Sequence, residues 1–412
     1  MRNKLLALVG SALLSGSAMA GGFQVNLASQ RQIGMGHTGT GLQTGTSSIF
    51  FNPGALSHIR ENGVTIGASA ISSHIAFRAT EPTNVTAEAD NDFGTPFQVY
   101  AAYKVDDMLT VGLGVYTPFG SGVRWGDQWA GRFSLNEIDL KAIFFQPTVS
   151  YKIGDKFGLG LGFVVATGAV NLQRVLPVQN QNGVEGGIEL DGDAKTGFGV
   201  NIGAFYQATE KLSIGIDYRS KIELEVEGGD VIFTDIPAAA RANFPSGTNF
   251  SAQLPLPATL TLGVGYKVNE QLTLAADVSH VDWSAYEALR FDFTKPVAGS
   301  GVSVSPRNYD DAFIFRVGAE YQMNEKLALR GGAYYDQTPV QDGYLTPETP
   351  DADSRGLSAG IGYALTDNFS VDASFLYINK KKRTDSAELS RGVAGTFKST
   401  AYIPGIALNY KF

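Results

Sequence analysis

The chain has 412 residues, no cysteine, four histidines and a formal net charge of −8 at pH 7. This acidic balance argues against nucleic acid as a partner, and without cysteine neither disulfides nor thiolate metal sites can form. Only 17% of the residues are charged, while the chain contains 49 glycines, 17 tyrosines and 25 phenylalanines, a mixture that is unusual for a soluble protein. The histidines show no metal-ligand spacing, so we expect neither a metal nor another cofactor; they are His37, His58, His74 and His280.

Residues 1–20 have the pattern of a secretory signal peptide. Arg2 and Lys4 precede the apolar run Leu5–Leu14, and Ala18-Met19-Ala20 fits a cleavage site. The apolar run is too short to span a bilayer as a helix, and a retained membrane anchor is the alternative. We predict that the mature chain starts near Gly21. No later window is apolar enough for a spanning helix, so a secreted chain rich in glycine and aromatic residues indicates an outer-membrane β-barrel.

Much of the remaining chain alternates between apolar residues and small or polar ones. In "ATLTLGVGYK" (258–267) the apolar residues from Leu260 to Tyr266 share one face, and in "FGLGLGFVV" (157–165) glycine alternates with large apolar residues. Successive side chains of a strand point to opposite faces, so one face would meet lipid and the other the barrel interior. A buried strand of a soluble sandwich rarely fills its second face with glycine.

A turn motif recurs six times, each time as a Tyr, a polar turn and a Leu or Phe that starts the next alternating run. The six are "YKVDDMLTVG" (103–112), "YKIGDKFGLG" (151–160), "YQATEKLSIG" (206–215), "YKVNEQLTLA" (266–275), "YQMNEKLALR" (321–330) and "YALTDNFSVD" (363–372). Long polar connections lie between them, at about 73–96, 117–141, 169–197, 220–257, 280–312, 336–356 and 378–402. Short turns on one rim and long loops on the other are typical of outer-membrane barrels. We therefore predict a 14-stranded antiparallel transmembrane β-barrel over residues 63–412.

Residues 21–62 do not alternate and are too polar to form a core of their own. The stretch "SSIFFNPGALS" (47–57) within them places aromatic residues before an Asn-Pro-Gly turn, in which Pro53 fixes its φ and Gly54 permits a positive φ. Glycine-lined inner faces leave room for a plug. We predict that this segment is an N-terminal hatch that plugs the barrel.

The chain resembles the FadL-type long-chain fatty acid and hydrocarbon transporters of Gram-negative outer membranes, over essentially the whole mature chain. The matching segments are "NPGAL" (52–56), "PFGSGVRW" (118–125), "WAGRF" (129–133), "LPATLTLGVGY" (256–266), "YDDAFIFRVGAEY" (309–321) and the block from "LRGGAYYDQTPV" to "TPETPDADSRGLSAGIGY". The resemblance implies a fourteen-strand barrel with a hatch, capture of substrate between extracellular loops, an interior site with a cationic end, and lateral release at a kink in strand three.

The resemblance also implies roles for single residues. Asn52 and Pro53 match the hatch turn, where Gly54 replaces the usual alanine, and the kink falls on Thr117, Pro118, Phe119 and Gly120. Proline lacks the N–H that a strand ladder needs, so a break in pairing at Pro118 is also expected from its chemistry.

Three residues match the interior ligand site with different quality. Phe23 matches an aromatic residue beside the ligand, and Arg174 aligns with a carboxylate-binding arginine. The family has a second cationic residue at the position of Ser305, so this chain lacks that cation. We expect Arg307, on the same strand face, to supply the charge instead, because guanidinium binds a carboxylate through two hydrogen bonds. The alternative for Arg174 is an arginine paired with one of the many acids.

Loop four offers a capture surface. "FTDIPAAARANF" (233–244) predicts a short helix with Asp235 as its cap and Pro237 in its first turn. Ile236, Ala240 and Phe244 fall on one stripe. That stripe would catch lipid if it is exposed, and ordinary loop packing is the alternative.

Three other patterns have simpler explanations. "GMGHTG" (34–39) matches a nucleotide-binding string but has no strand before it, so we assign it to the hatch. "GLSAG" (356–360) matches the nucleophile-elbow string, but Ser358 lies within an alternating strand. "NKKKR" (379–383) would lie on the extracellular rim, where it either neutralises lipopolysaccharide phosphates or is solvated.

These observations predict a passive outer-membrane uptake channel for long-chain fatty acids or similar hydrophobic compounds. The sequence does not choose between fatty acids, alkanes and aromatic hydrocarbons. We expect a monomer without enzymatic activity, in contact with outer-membrane lipid and lipopolysaccharide. A porin for small polar solutes is the main alternative, and a lipid-acting barrel enzyme built on Ser358 is another.

Overall fold

The computed structural model describes residues 21–81, 83–390 and 392–412, and the predicted signal peptide (1–20) lies outside the described residues. The described residues form twenty-one β-strands: β1 (Gly63–Ser69), β2 (Ser72–Ala79), β3 (Thr86–Glu88), β4 (Phe97–Lys104), β5 (Leu109–Arg124), β6 (Glu137–Ile153), β7 (Phe157–Gln179), β8 (Glu185–Gln207), β9 (Leu212–Arg219), β10 (Ile222–Thr234), β11 (Thr248–Leu256), β12 (Thr259–Lys267), β13 (Leu272–Val281), β14 (Ala288–Val297), β15 (Ser300–Pro306), β16 (Ala312–Gln322), β17 (Leu327–Asp336), β18 (Ser354–Ala364), β19 (Phe369–Lys380), β20 (Arg383–Asp385) and β21 (Gly395–Lys411).

The helices are short. They are α1 (Gln30–Ile33), α2 (Ser48–Phe51) and the 3-10 helices Gly45–Ser47, Pro53–His58, Ala238–Asn243 and Trp283–Ala285. Within the described part of the chain, no helix has the length and apolar character needed to cross a membrane.

The strands close into a fourteen-strand antiparallel barrel, as predicted. Five of the fourteen consist of two consecutive segments each: β1 with β2, β9 with β10, β11 with β12, β13 with β14, and β15 with β16. The short strands β3 and β20 pair only within the extracellular loops. Closure comes from β1 and β21, which pair from Gly63 opposite Lys411 to Ser69 opposite Gly405. No open edge is left along that seam, as a bilayer requires.

The outer face is apolar along the spanning part of the strands. Alternate residues of β12, from Leu260 to Tyr266, are exposed large side chains, and so are those of β21 from Ile406 to Tyr410. The polar and small residues between them point inward. The alternation read from the sequence therefore gave the correct outward face.

The six short turns are present, but the extracellular strands are longer than predicted. β7 and β8 each contain 23 residues and form one long hairpin across most of the range assigned to a loop at 169–197. A bilayer needs only about 10 residues of a tilted strand. The prediction was wrong there because a hairpin continues outside the membrane wherever its ladder stays paired, without any need for an apolar outer face.

The hatch, residues 21–62, lies inside this barrel and is held by the inward-facing side chains. In α1, the Gln30 amide donates to Ser69 Oγ of β1 at 2.9 Å, while the Arg31 guanidinium pairs with Glu320 of β16 at 2.7 Å. On the far wall, Ser150 Oγ of β6 accepts from the main chain of the 3-10 helix Pro53–His58 at 2.9 Å. The hatch thus contacts opposite sides of the barrel.

The Asn-Pro-Gly turn fits directly against the barrel wall. Asn52 Oδ1 accepts from the amide of Gly54 at 2.9 Å, and its Nδ2 donates to the carbonyls of Thr40 and of Ala204 in β8 at 2.9 and 3.0 Å. One buried side chain therefore closes the turn, joins two parts of the hatch and ties both to the wall. Pro53 packs so closely on Gly160 of β7 that a Cβ there would overlap its main chain.

Charged residues of the wall hold the main chain of the hatch. Asp277 of β13 accepts from the amides of Gly39 and Thr40 at 2.8 and 3.1 Å. Arg219 of β9 donates to the carbonyl of Phe50 at 2.8 Å and lies 4.2 Å from the centre of its ring. Because the hatch has little regular structure, its amides and carbonyls need such partners when they are buried.

His37 of the hatch is neutral when it is docked. Its Nε2 accepts from the amide of Ala28 at 3.2 Å. Burial holds the pKa of His37 well below 6.5, and the nearby Arg316 and Arg219 guanidinium groups lower it further. A protonated ring would lose its acceptor role and meet two positive charges.

We expect Gly160→Val to displace the hatch without preventing barrel formation, because the added side chain occupies the position of Pro53. The variant would show steady ion conductance in planar bilayers. Gly331→Val is the matched control, since a Cβ at Gly331 meets nothing within 4 Å. A Gly160→Val barrel as closed to ions as the wild type would contradict the packing described.

We expect hatch docking to weaken as the pH falls below 6.5. The released hatch binds a proton at His37 more readily than the docked hatch, so protonation favours release by up to about 1.4 kcal/mol per pH unit. Hydrogen exchange of hatch amides at about pH 5 and about pH 8, corrected for intrinsic rates, measures the effect. His37→Gln keeps an acceptor but does not titrate, so this variant should lose much of the pH dependence. An equal dependence in both proteins would refute the assignment to His37.

Candidate functional site

A cavity in the extracellular half of the barrel is bounded mostly by apolar side chains. Its wall comes from β6, β7, β8, β10, β11 and β14. A mostly apolar lining with a few polar groups is typical of sites that bind small molecules. The apolar side chains of the wall are Ile138, Leu140, Ala169, Val170, Leu172, Ala194, Leu224, Val226, Ala252, Leu254, Leu289 and Phe291.

Phe23, at the start of the hatch, lines this cavity. Its ring lies 4.9 Å from Trp283, 5.6 Å from Tyr286 and 5.9 Å from Phe119 between centroids. Edge-to-face contacts at such distances favour one ring orientation. Phe23 therefore connects the cavity wall, the hatch and strand β5.

Main-chain contacts fix the residues before Phe23. The amide of Gly21 donates to Asp336 Oδ2 at 2.9 Å, and the amide of Gly22 donates to Asp351 Oδ2 at 3.3 Å. Gly22 has φ of +64° and lies flat against the Trp283 ring, where a side chain would not fit. The sequence gave no indication that two acids of distant segments would hold the start of the hatch.

The cationic end of the cavity is Arg307. Its side chain is 1% exposed, and it lines the cavity beside Glu348, whose Oε1 lies 3.7 Å from Arg307 Nη2. Arg307 Nη1 donates to Ser305 Oγ at 2.5 Å. Ser305 is the position at which the family has its second cation. Its hydroxyl thus orients Arg307, the arginine that we expected to supply that charge.

Arg174 was expected at the interior ligand site but lies outside the cavity lining. It follows Leu172 by two residues on β7, so both point to the same face, but Arg174 is not part of the cavity lining. It interacts electrostatically with Glu348. Both predicted cations are thus near one acid that sequence reasoning did not select. Glu348 lies in "TPETP" and has no local feature that indicates its inward position.

Loop four differs from the predicted helix. β10 continues to Thr234, and only Ala238–Asn243 forms a 3-10 helix, with Pro237 at its N-cap position. Asp235 has φ of +53° and does not cap it. Phe244 is buried, with its ring 5.5 Å from that of Phe233, and neither Phe244 nor Ile236 lines the cavity.

The ladder between β4 and β5 stops just before Thr117. Its last pair is Gln98 with Tyr116, and the register of β5 with β6 shifts between Tyr116 and Phe119. Hatch main chain takes the place of β4: the amide of Val25 donates to Pro118 O at 2.7 Å, and the amide of Gly120 donates to Phe23 O at 3.0 Å. Proline at 118 lacks the N–H that a β4 partner would need.

A cleft of about 530 Å³ lies at this interruption of the wall. It shares Leu140 and Lys141 with the interior cavity. Its other lining residues are Val25, Ile71, Thr95, Pro96, Phe97, Thr117, Phe119, Gly120, Asp139, Ala142 and Ile143. Two residues of β6 therefore border both spaces.

Two of the remaining sequence patterns have structural roles. Ser358 lies within β18, where its hydroxyl accepts from the amide of Gly36 in the hatch at 3.0 Å. It therefore lies on a strand, not on a strand-to-helix elbow. Lys380, in the basic run 379–383, is buried and paired with Asp351. That lysine does not face lipopolysaccharide.

One histidine lies closer to acids than its sequence spacing suggests. His280 Nδ1 is 2.9 Å from Asp282, and its Nε2 is 3.8 Å from Asp311, which follows β15. Among the described residues this is the one group of three side chains with metal-ligating atoms near one another. His280 and Asp282 are half-buried and Asp311 is exposed.

Comparison with known proteins places the chain in a family. The family model for the outer membrane protein transport protein (OMPP1/FadL/TodX) matches residues 11–412. The 47 kDa outer membrane protein of Pasteurella multocida is 27% identical over 421 residues, which cover 97% of this chain and 96% of that protein. The long-chain fatty acid transport protein of Salmonella typhi is 24% identical over 432 residues, 98% of this chain and 97% of that protein.

A solved structure agrees with this assignment at the level of the fold. The crystal structure of a Pseudomonas aeruginosa FadL homologue superposes with a TM-score of 0.82 at 19% identity, covering 95% of this chain and all of that one. The matching family model and the Salmonella typhi relative both describe transport proteins. The sequence match, the closed barrel and its hatch together show that this chain is an outer-membrane protein of the OMPP1/FadL/TodX transport family.

Proposed function

We propose that this protein is a passive uptake channel for long-chain fatty acids or similar hydrophobic compounds. The observation that carries the proposal is the apolar cavity that ends at a buried arginine, Arg307. An acyl chain would gain roughly 0.8 kcal/mol for each CH₂ group that it buries against such a wall. The fatty acid transport activity named for one relative points to the same class of substrate.

Arg307 holds the head group, and Arg174 attracts it from farther out. Arg307 is rigid, because Ser305 occupies its Nη1 and burial restricts its rotamers. A guanidinium fixed in this way loses little conformational entropy when it binds a ligand. Arg174 shares the face of β7 with the cavity-lining Leu172, on the path from the extracellular side.

Substrate leaves through the wall beside β5. The pairs of Phe23 and Val25 with Pro118 and Gly120 close the wall, and Phe23 also lines the cavity. A ligand that fills the cavity would compete with Phe23 and weaken those pairs. The segment Thr117–Gly120 would then be free of its hatch partner, which opens a lateral route to lipid beside Leu140 and Lys141.

Capture begins at the extracellular loops, with Ile236 and Phe244 as apolar contacts. Phe244 packs on Phe233 in the loop core, so capture requires this cluster to loosen. We infer a monomer in contact with outer-membrane lipid and lipopolysaccharide, since closure through β1 and β21 leaves no strand edge there to which a second chain could add. We do not propose a porin for polar solutes, because the hatch contacts opposite walls of the lumen.

Uptake of radiolabelled oleate tests the proposal. Cells that lack their own importer should accumulate oleate when they make this protein, and a hydrophilic sugar should not enter. An empty vector gives the background. Entry of the sugar would favour a porin, while no transport of oleate, alkane or toluene would overturn the proposal.

We expect Arg307→Met to weaken fatty acid binding by about 10- to 150-fold, since a hydrogen bond to a charged group contributes roughly 1.5–3 kcal/mol. Arg290→Met is the control, because Arg290 is an exposed arginine that pairs with Asp292 outside the cavity. Equilibrium binding to the folded, purified barrel measures the difference. Equal affinity in Arg307→Met and the wild type would remove Arg307 from the head-group site.

A reversible crosslink tests lateral release. Gln24 and Phe119 are opposite each other in the bridge between hatch and β5, as a pair without direct hydrogen bonds. The Cα separation of such pairs, about 4.5 Å, suits a disulfide. The chain has no other cysteine, so Gln24→Cys with Phe119→Cys should lose oleate uptake when oxidised and regain it with reductant. The two single variants are controls, and undiminished uptake by the oxidised protein would contradict release at this position.

A further inference from the structure

Two buried atoms at the polar end of the cavity have no hydrogen-bond partner. Arg307 Nε is a donor and Glu348 Oε2 is an acceptor, and both are buried without a partner among the described residues. Their side chains line the same end of the cavity, with Glu348 Oε1 3.7 Å from Arg307 Nη2. An unsatisfied buried polar group costs about 1–3 kcal/mol. Two complementary ones at one cavity end indicate a missing ligand group.

Hydrogen bonds fix the Arg307 side chain and the main chain that carries Glu348. Arg307 Nη1 is held by Ser305 Oγ, which donates in turn to the carbonyl of Ser390 at 2.8 Å. The main chain around Glu348 is held by two wall residues: Ser121 Oγ donates to the Glu348 carbonyl at 3.4 Å, and Trp125 Nε1 donates to the Pro347 carbonyl at 3.1 Å. The donor and the acceptor are therefore preorganised.

Glu348 has two cationic neighbours. Its Oε1 lies 3.7 Å from Arg307 Nη2, and it interacts electrostatically with Arg174. A carboxylate at this position accepts hydrogen bonds and repels a second carboxylate that approaches Arg307.

An ionised fatty acid fits this end poorly. Its carboxylate would satisfy Arg307 but offers no proton to Glu348, and the two negative charges would face each other in an apolar surrounding where the repulsion is strong. A hydroxyl or an undissociated carboxyl group satisfies both atoms, since its oxygen accepts from Arg307 and its O–H donates to Glu348.

We propose that this site recognises a neutral head group that both donates and accepts a hydrogen bond, and that Glu348 is the residue that sets this preference. The ligand class is a long-chain alcohol or a fatty acid in its undissociated form. This inference rests on the proposed function, because it assumes that the cavity binds a hydrophobic chain. The apolar wall supports the undissociated form, since burial disfavours a charged head group.

Three ligands with one chain length separate the possibilities. 1-Tetradecanol donates and accepts, methyl tetradecanoate only accepts and is neutral, and tetradecanoate at about pH 8 only accepts and is charged. Equilibrium binding of the radiolabelled compounds to the folded barrel should give the alcohol an affinity about tenfold higher than that of the ester or the anion, the effect of one hydrogen bond. Repeating the acid at about pH 6 tests the undissociated form, whose binding should strengthen as the pH falls.

Glu348→Gln is the decisive variant, because the amide supplies a donor and removes the charge. It should reverse the preference, with ester and anion gaining about tenfold relative to the alcohol, and it should abolish the pH dependence of acid binding. Glu348→Asp shortens the side chain, which moves the acceptor away from the ligand but keeps the charge. This variant should therefore weaken binding of the alcohol without strengthening binding of the anion. Asp342→Asn, at a side chain that is 99% exposed, is the control for loss of an acid.

The outcomes distinguish the two claims. If the wild type bound all three ligands and Glu348→Gln left their ratios unchanged, the head-group preference would be wrong while the proposed function stood. Tighter binding of the anion than of the alcohol by the wild type would also overturn the preference. If no ligand bound to the folded wild type, the proposed function would fail and this inference with it.

Discussion

The structure depends on one constraint: main-chain hydrogen bonds at the level of the bilayer must be made within the protein. A closed ladder meets it around the barrel, and β5 is the strand where the ladder is interrupted. Above Tyr116 the β4 partner is missing, and the main chain of Phe23 and Val25 supplies the hydrogen bonds to Pro118 and Gly120 instead. The wall is thus completed there by a segment of the hatch, which is not itself a barrel strand.

The same constraint governs the hatch. Its chain is irregular, so its amides and carbonyls need partners from the wall. The wall provides the charged side chains of Asp277 and Arg219, and the main-chain carbonyl of Ala204 accepts from the Asn52 side chain. Small residues such as Gly160 let the two main chains approach. Around the hatch the lumen is accordingly rich in polar groups, while the lipid-facing exterior is apolar. Because separate hydrogen bonds hold different parts of the hatch, one part can move while the others stay docked.

The sequence predicted what depends on local pattern. Period-two alternation and the repeated Tyr turns gave the strand number and the outward face, because lipid imposes them residue by residue. The extracellular extensions of β7 and β8 were missed, since no lipid imposes a pattern there. At the site, Arg307 was selected from the sequence and lines the cavity directly after β15, whereas Glu348 was missed because its position depends on the inward fold of a long loop. No local signal reports such a contact.

Phe23 links the chemistry of the site to the opening of the wall. It lines the cavity, contacts Trp283 and Tyr286 by its ring, and pairs with Gly120 through its main chain. On the proposed function, a ligand changes the wall only as far as it binds better with Phe23 displaced than with Phe23 docked. A head group held between Arg307 and Glu348 fixes the depth of the ligand chain, and that depth decides whether the chain reaches Phe23. The depth at which the acyl chain binds would then couple recognition of the head group by Arg307 and Glu348 to release through the wall.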